Sequence, residues 1–377
     1  MFVRRGARET HDWPRLYGRL LMNHSQPHLR LVSGTSRSAR PHLKTRYPSP
    51  NKVQLALEEV ALLMSEVVDE CIVDPLRTMI TEHLQTGGKR IRARTALEAA
   101  AALGMDPQAV IEIAAACEFL HNATLVHDDL QDGDTVRRGA PTVWVRHGKA
   151  QAINVGDVML MMSTLVLRES AFDAATRWWL SEALSSRAVA TAAGQSLELA
   201  LLQNEWVDRE RYLKAASGKS GPFFALPIEA AALCAGLDPE LAHSIGDATL
   251  GLGSLFQVRD DILDLFGDKG RGAQGNDLRE GKISAVVVGH LEACPEDRQP
   301  LLHLLRKERD ATTDEDIAFW TQRFKHSGGL QNACDIATQL ADTVSNSPIL
   351  DAEPNLRELT RRTAATIATP VEALANQ

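Results

Sequence analysis

Residues 107–132 read PQAVIEIAAACEFLHNATLVHDDLQD. Apolar residues recur every three or four positions, the rhythm of a helix with a buried face. Gly104-Met105-Asp106-Pro107 separates it from the Ala-rich segment 93–104, a stop-and-restart signal between two helices. The stretch ends in Asp128-Asp129-Leu130-Gln131-Asp132. Residues four apart share a helix face and the next residue lies about 100° round, so Asp128 and Asp132 stack with Asp129 beside them. The pattern returns as Asp260-Asp261-Ile262-Leu263-Asp264, again continuing an apolar helical stretch.

Carboxylates crowded in this way raise one another's pKa unless a cation holds them ionised. Mg²⁺ suits the task, because it bridges one or two carboxylates to phosphate oxygens and keeps several waters. Two facing clusters would grip a diphosphate from both sides. A single D-D-x-x-D is more simply a solvated helix end. Two of them on apolar helices, each accompanied by ordered basic residues, point to a site.

Helical periodicity extends over most of the chain. It marks Val53–Ser65 and onward, 150–170, 174–202, 207–216, 222–235, 239–265 and 283–293, with amphipathic segments over 311–375. No alternating strand pattern stands out. Aromatics make up only 5% while Ala and Leu dominate, which favours helix over sheet. The expectation is one all-α domain over 51–377, its two acidic motifs facing a central cavity.

Residues 1–50 read differently, as a basic, disordered tail. Residues 1–52 hold 11 Lys/Arg against 2 Asp/Glu, a balance of +9. An organelle transit peptide and a leader preceding a start at Met22 both remain open for it. The remainder carries 30 against 47, or −17, so phosphate binding must come from local basic residues and metal. No nucleic-acid partner is expected. The five cysteines show no C-x-x-C spacing, which argues against a zinc site or disulfide framework and for a reducing, cytoplasmic setting. The apolar run 158–167 is too short to cross a bilayer, so no integral membrane contact is expected.

Basic residues punctuate the acidic motifs. Gly87-Gly88-Lys89-Arg90-Ile91-Arg92 pairs glycines that admit close backbone approach with two cations suited to phosphate, Lys89 and Arg92, although alone it is a common surface loop. Arg137-Arg138-Gly139 follows Asp132. His121 lies two helical turns before Asp128, where a lone histidine is more often a satisfied core residue. Glu118 and His121 form an E-x-x-H pair, the half-motif of a di-iron bundle, whose full site needs a second such pair and further glutamates brought together. Lys219-Ser220, Gln257 and Glu280-Gly281-Lys282 complete an ordered set.

That order, K-x-x-R, H, D-D-x-x-D, R-R-G, K-S, Q-x-x-D-D-x-x-D, E-G-K, resembles the trans-isoprenyl diphosphate synthases over roughly residues 53–350. The match is closest in HNATLVHDDLQDGDTVRRGAPTVWVRHGKAQAINVGDVML at 121–160. The resemblance implies a bundle of long, mostly antiparallel helices around a deep cavity, usually as a homodimer. It implies isopentenyl diphosphate on Lys89, Arg92, His121 and Arg138, and an allylic diphosphate on Arg137, Lys219, Ser220, Gln257 and Lys282. It implies three Mg²⁺ ions per site on Asp128, Asp132 and Asp260, with Asp129, Asp261 and Asp264 in support. Asp128, Asp132, Asp260, Lys219 and Lys282 become the catalytic residues of a prenyltransferase. Three departures stand out: Ala93 where the family commonly has Pro, Ser220 where it has Thr, and Arg271 or Lys269 for a lysine before Gly275-Asn276-Asp277.

Product length follows from the turns before Asp128. In the family an aromatic four or five residues earlier floors the pocket, whereas Ala123 and Thr124 are small here and Phe119 and Leu120 become the expected floor. Geranylgeranyl diphosphate (C20) is the expected product, with farnesyl and longer chains as alternatives. Two other classes compete. A terpene cyclase would keep one D-D-x-x-D and lack the Lys89/Arg92 clamp. A non-catalytic partner subunit would lose the Asp motifs.

Overall fold

The computed structural model describes residues 50–267 and 274–375. The tail over 1–50, save Pro50 at the head of the first helix, and the Lys269/Arg271 substitution lie outside these residues. Helices follow one another: α1 (Pro50–Cys71), α2 (Leu76–Gln85), α3 (Ile91–Ala102), α4 (Ile111–Asp132), α5 (Val143–His147), α6 (Lys149–Leu165) and α7 (Ala174–Gln203). The second half holds α8 (Arg209–Ser220), α9 (Pro222–Cys234), α10 (Pro239–Asp247), α11 (Leu250–Phe266), α12 (Asn276–Arg279), α13 (Ala285–Ala293), α14 (Arg298–Leu305), α15 (Asp314–His326), α16 (Gly329–Ser345) and α17 (Pro354–Ala375). Short 3₁₀ turns punctuate them. The fold is all-α, as the composition and periodicity require.

Local chemistry sets the boundaries. Asp106, Asp173 and Asp208 each accept a backbone N–H at the start of a helical segment, relieving donors that lack an intrahelical partner. Gly133, with φ +70°, closes α4 directly after Asp132. The continuous helix read over 239–265 is two helices, interrupted at Ala248–Thr249. Helix α2 lies in a stretch whose period the sequence reading passed over.

The one pair of strands among the described residues is β1 (Val136–Arg137) with β2 (Ala140–Pro141), a two-residue hairpin. Its central residues, Arg138 and Gly139, both have positive φ, +54° and +78°, the requirement of a tight hairpin turn that follows the strand twist.

Two hydrophobic clusters form the core. The first joins α1–α4, α6 and α9, and the second joins the end of α7 with α8, α11 and α13–α17. Helix α9 is buried from Pro222 to Leu233, so it is apolar all round, as a central helix must be. Pro107–Asp132 and Lys149–Glu169 are each long and apolar enough to cross a bilayer. The run 158–167 is only the most apolar part of the second of these helices, and helical length rather than unbroken apolarity sets the span. Their windows are 67% and 44% buried inside the protein, where α4 packs along α6.

Candidate active site

Both acidic motifs reach one cavity of about 1500 Å³. Asp128 and Asp132 enter it from the C-terminal end of α4, and Asp260 and Asp264 from α11. Asp129 and Asp261 do not line it. Asp129 is buried and accepts the Arg137 Nε–H at 2.6 Å. Asp261 accepts the Tyr212 hydroxyl at 2.7 Å, the Ala285 N–H at 2.7 Å and the Gln257 side-chain amide at 3.0 Å. The second residue of each motif thus orients its neighbours, as the 100° offset on a helix dictates.

The cations arrive from separate elements. Lys219, near the end of α8, donates to Glu198 of α7. Lys282 donates to Asp132 at 3.0 Å and to Glu280 at 2.6 Å, joining the loop after α12 to the first acidic motif. Burial opposes the charge on both lysines. Glu198 and Asp128 outweigh it at Lys219, and Asp132, Asp277 and Glu280 at Lys282, so both stay above the ordinary lysine pKa. Asp128 moves the other way. Burial first, then Asp132 and Glu198, push it up to about 6 despite Lys219.

Lys219 is placed by three glycines. A Cβ on Gly194 of α7 would lie 2.1 Å from the Gly218 carbonyl carbon and from the Lys219 nitrogen. A Cβ on Gly253 of α11 would lie 2.3 Å from Ser220 backbone atoms. Three helix backbones therefore cross in contact at Lys219-Ser220. There Ser220 donates to Gln257 Oε1 at 3.2 Å.

Arg92 and His121 form the other polar wall. Arg92 has no ion-paired carboxylate among the described residues. Its guanidinium lies 5.7, 5.4 and 5.8 Å from the rings of Phe223, Phe224 and Phe256. Burial lowers its pKa to about 10, so it remains charged at neutral pH. His121 packs edge-on to Phe223 at 5.3 Å and is neutral, because burial and then Arg92, Arg138 and Arg137 disfavour a second positive charge. Arg92 Nε and His121 Nδ1 are buried without a partner among the described residues. Lys89 and Arg138 line the same cavity, and Arg138 donates to the Gly87 carbonyl. Gly88 has φ +144°, a backbone that favours glycine, and a Cβ there would also press on that guanidinium at 2.7 Å.

Away from the charged rim the wall carries Leu120, Thr124, Leu160, Ala188 and Ala192. Ala123 and Phe119, expected on the pocket wall and its floor, do not line it. Both are fully buried in the core, on a strip of α4 about 100° round from Leu120 and Thr124. Sequence reading also missed Glu198, Gln195, Asp134 and Arg309, all on the cavity wall. Asp134 lies two residues beyond Asp132, whereas only the approach of distant elements brings the other three there.

The donor set suits a divalent cation held jointly with a diphosphate. It offers only oxygen ligands, from two helices, and Mg²⁺ binds through one or two carboxylates plus phosphate oxygens rather than in an all-protein cage. Among the described residues the one triad of donors converging within 4.8 Å is elsewhere, at His290, Cys294 and Asp297. There His290 already bonds Ser327 at 2.7 Å and Asp297 at 2.9 Å, and Arg323 grips both Asp297 oxygens. That cluster is an ion-paired clamp between α13 and α15.

The family model described as Polyprenyl synthetase matches residues 73–320. The chain is 32% identical to the short chain isoprenyl diphosphate synthase of Methanothermobacter thermautotrophicus, over 67% of this chain and 77% of that protein. It is 31% identical to the geranylgeranyl diphosphate synthase of Saccharolobus solfataricus, over 74% and 82%. The polyprenyl synthase of Caulobacter crescentus, solved with calcium and isoprenyl diphosphate, superposes with a TM-score of 0.73. It is 27% identical, over 86% of this chain and 99% of that one.

Proposed function

The chain belongs to the polyprenyl synthetase family, and we propose from that premise that it condenses isopentenyl diphosphate with an allylic diphosphate, releasing a C20 product. It is a trans-prenyltransferase. One observation supports the site assignment: two acidic helix ends and two sets of cations line one cavity, together with Leu120, Thr124, Leu160 and Ala188.

The geometry supports a division of labour. Lys219, Lys282, Ser220, Gln257 and Arg137 hold the allylic diphosphate, while Lys89, Arg92, His121 and Arg138 hold isopentenyl diphosphate. Mg²⁺ ions, three per site, would be bound by Asp128, Asp132, Asp260 and Asp264 together with the diphosphate, neutralising charge on the leaving oxygen. Asp129 and Asp261 steady Arg137 and Gln257 instead of binding metal. The allylic C1–O bond breaks with its electron pair going to the diphosphate, where Lys219 and Lys282 stabilise it. The π electrons of isopentenyl diphosphate, aligned by Arg92 and Lys89, then bond to C1. A proton lost from C2 of that unit, to the departing diphosphate, restores neutrality. Leu120, Leu160 and Ala188 keep water from the cation.

The exposed apolar residues Ile153, Met161 and Leu165 on one side of α6 support a homodimer. Residues 51–377 form the proposed catalytic unit, in the cytoplasm. Incubating the purified chain with labelled isopentenyl diphosphate, each allylic primer and Mg²⁺ tests the reading. A C20 product that disappears with EDTA and returns with Mg²⁺ is expected. An inactive chain, or cyclised hydrocarbon in place of a longer diphosphate, refutes it.

A further inference from the structure

The E-x-x-H pair has a use other than metal. Glu118 is 4% exposed and its carboxylate reaches the cavity wall. Glu118 Oε1 accepts the Ala93 N–H at 3.1 Å, across 25 residues, at the first turn of α3. A buried carboxylate there satisfies a helix donor that has no intrahelical partner and lies at the positive end of the helix dipole. One turn on, Asn122 donates to the Glu118 carbonyl at 2.8 Å and, more weakly, to Oε2 at 3.5 Å. Its Oδ1 accepts from His83 Nε2 of α2 at 3.2 Å. Burial lowers the His83 pKa to about 4, so the ring is neutral and Nε2 carries the donated hydrogen.

We propose that Glu118 is a positioning residue which, with Asn122 and His83, clasps both flanks of the 86–90 loop to α4 and so sets Arg92 and Lys89 in register with Asp128. The loop needs such a clasp. Gly87, Gly88 and Arg90 all have positive φ, +79°, +144° and +46°, a backbone that nothing local enforces at Arg90. Asn122 and Glu118 meet its two flanks, α2 and α3. Asp128 lies ten residues further along the same rigid helix, about 15 Å away at 1.5 Å per residue. The clasp thereby fixes the distance between the two diphosphate sites. Glu118 also acts on Arg92 directly, as the strongest of the charges that favour its ionised form, ahead of Asp260.

This inference rests on the proposed substrate assignment, so its test has two arms. In kinetics, Glu118→Leu should raise KM for isopentenyl diphosphate about tenfold or more, the scale of losing a hydrogen bond to a buried charge, with the allylic KM within about twofold. Glu118→Gln, which keeps an acceptor for Ala93 N–H, should fall between it and the unaltered enzyme. In hydrogen exchange, amides 87–94 should lose protection in Glu118→Leu while 125–132 keep theirs. Should the Leu variant fail to fold, the Gln variant carries both arms with smaller shifts. Equal rises in both KM values, or unchanged exchange at 87–94, overturn the clasp. Failure of the unaltered enzyme to consume isopentenyl diphosphate overturns the substrate assignment, and the exchange result still decides the clasp.

Discussion

Asp128 sits under competing influences. Burial, Asp132 and Glu198 favour its proton and Lys219 opposes them, leaving its pKa at about 6. A proton and a divalent cation compete for it, so calorimetry on the metal-free protein should show affinity for Mg²⁺ falling as pH drops below about 6. Asp128→Asn should remove that dependence and lower kcat by about a hundredfold or more, the scale of losing one electrostatic contact to a developing charge. The tail pocket offers a second residue-level prediction. Thr124 lines the cavity and Ala123 does not. Thr124→Phe should therefore shorten the product, read as chain length by mass spectrometry. Ala123→Phe should instead overpack the core and cost about 1–3 kcal/mol, read by denaturant unfolding. A C15 product from Ala123→Phe with undiminished stability would mean the pocket runs along the other side of α4.

At the element scale, the crossing of α7, α8 and α11 places the allylic cations. Gly194 and Gly218 touch through their backbones, so a methyl at either position forces the helices apart. Gly194→Ala should raise KM for the allylic substrate more than that for isopentenyl diphosphate, because Lys219 and Ser220 move with α8. It should also destabilise the protein by about 1–3 kcal/mol. Steady-state kinetics with each substrate varied in turn distinguishes this from general loosening, which would raise both. The hairpin between β1 and β2 is a second positioning element. Its tight turn turns Arg138 back onto Gly87 while Arg137 is held by Asp129.

For the whole molecule, pH sensitivity has a definite sign. His83 has a folded pKa of about 4, below its unfolded value of 6.5. Its contribution is present above 6.5 and is lost as pH falls toward 4, because the unfolded chain takes up the proton first; the full effect is about 3 kcal/mol. Asp128, raised from 3.8 to about 6, works in the opposite direction over the same window in the metal-free protein. Comparing His83→Gln with the unaltered chain isolates the histidine term: the gap in Tm should narrow as pH falls from 6.5 to 4. Assembly offers another check. A Met161→Asp substitution on the exposed side of α6 should yield monomers by light scattering if that side joins two copies.

Much was legible along the chain because it depends on local period. The helical class, both acidic helix ends and the order of basic motifs follow from residue spacing, and each motif carries its own chemistry in adjacent side chains. Which of two neighbouring aspartates faces the cavity, which side of α4 forms the tail pocket and why Glu118 is buried followed only from tertiary structure. Those outcomes depend on partners far away in sequence: Tyr212 and Ala285 for Asp261, the core for Ala123, and Ala93 for Glu118. A helix shows its own periodicity, but the choice of which side meets a cavity belongs to the elements packed around it.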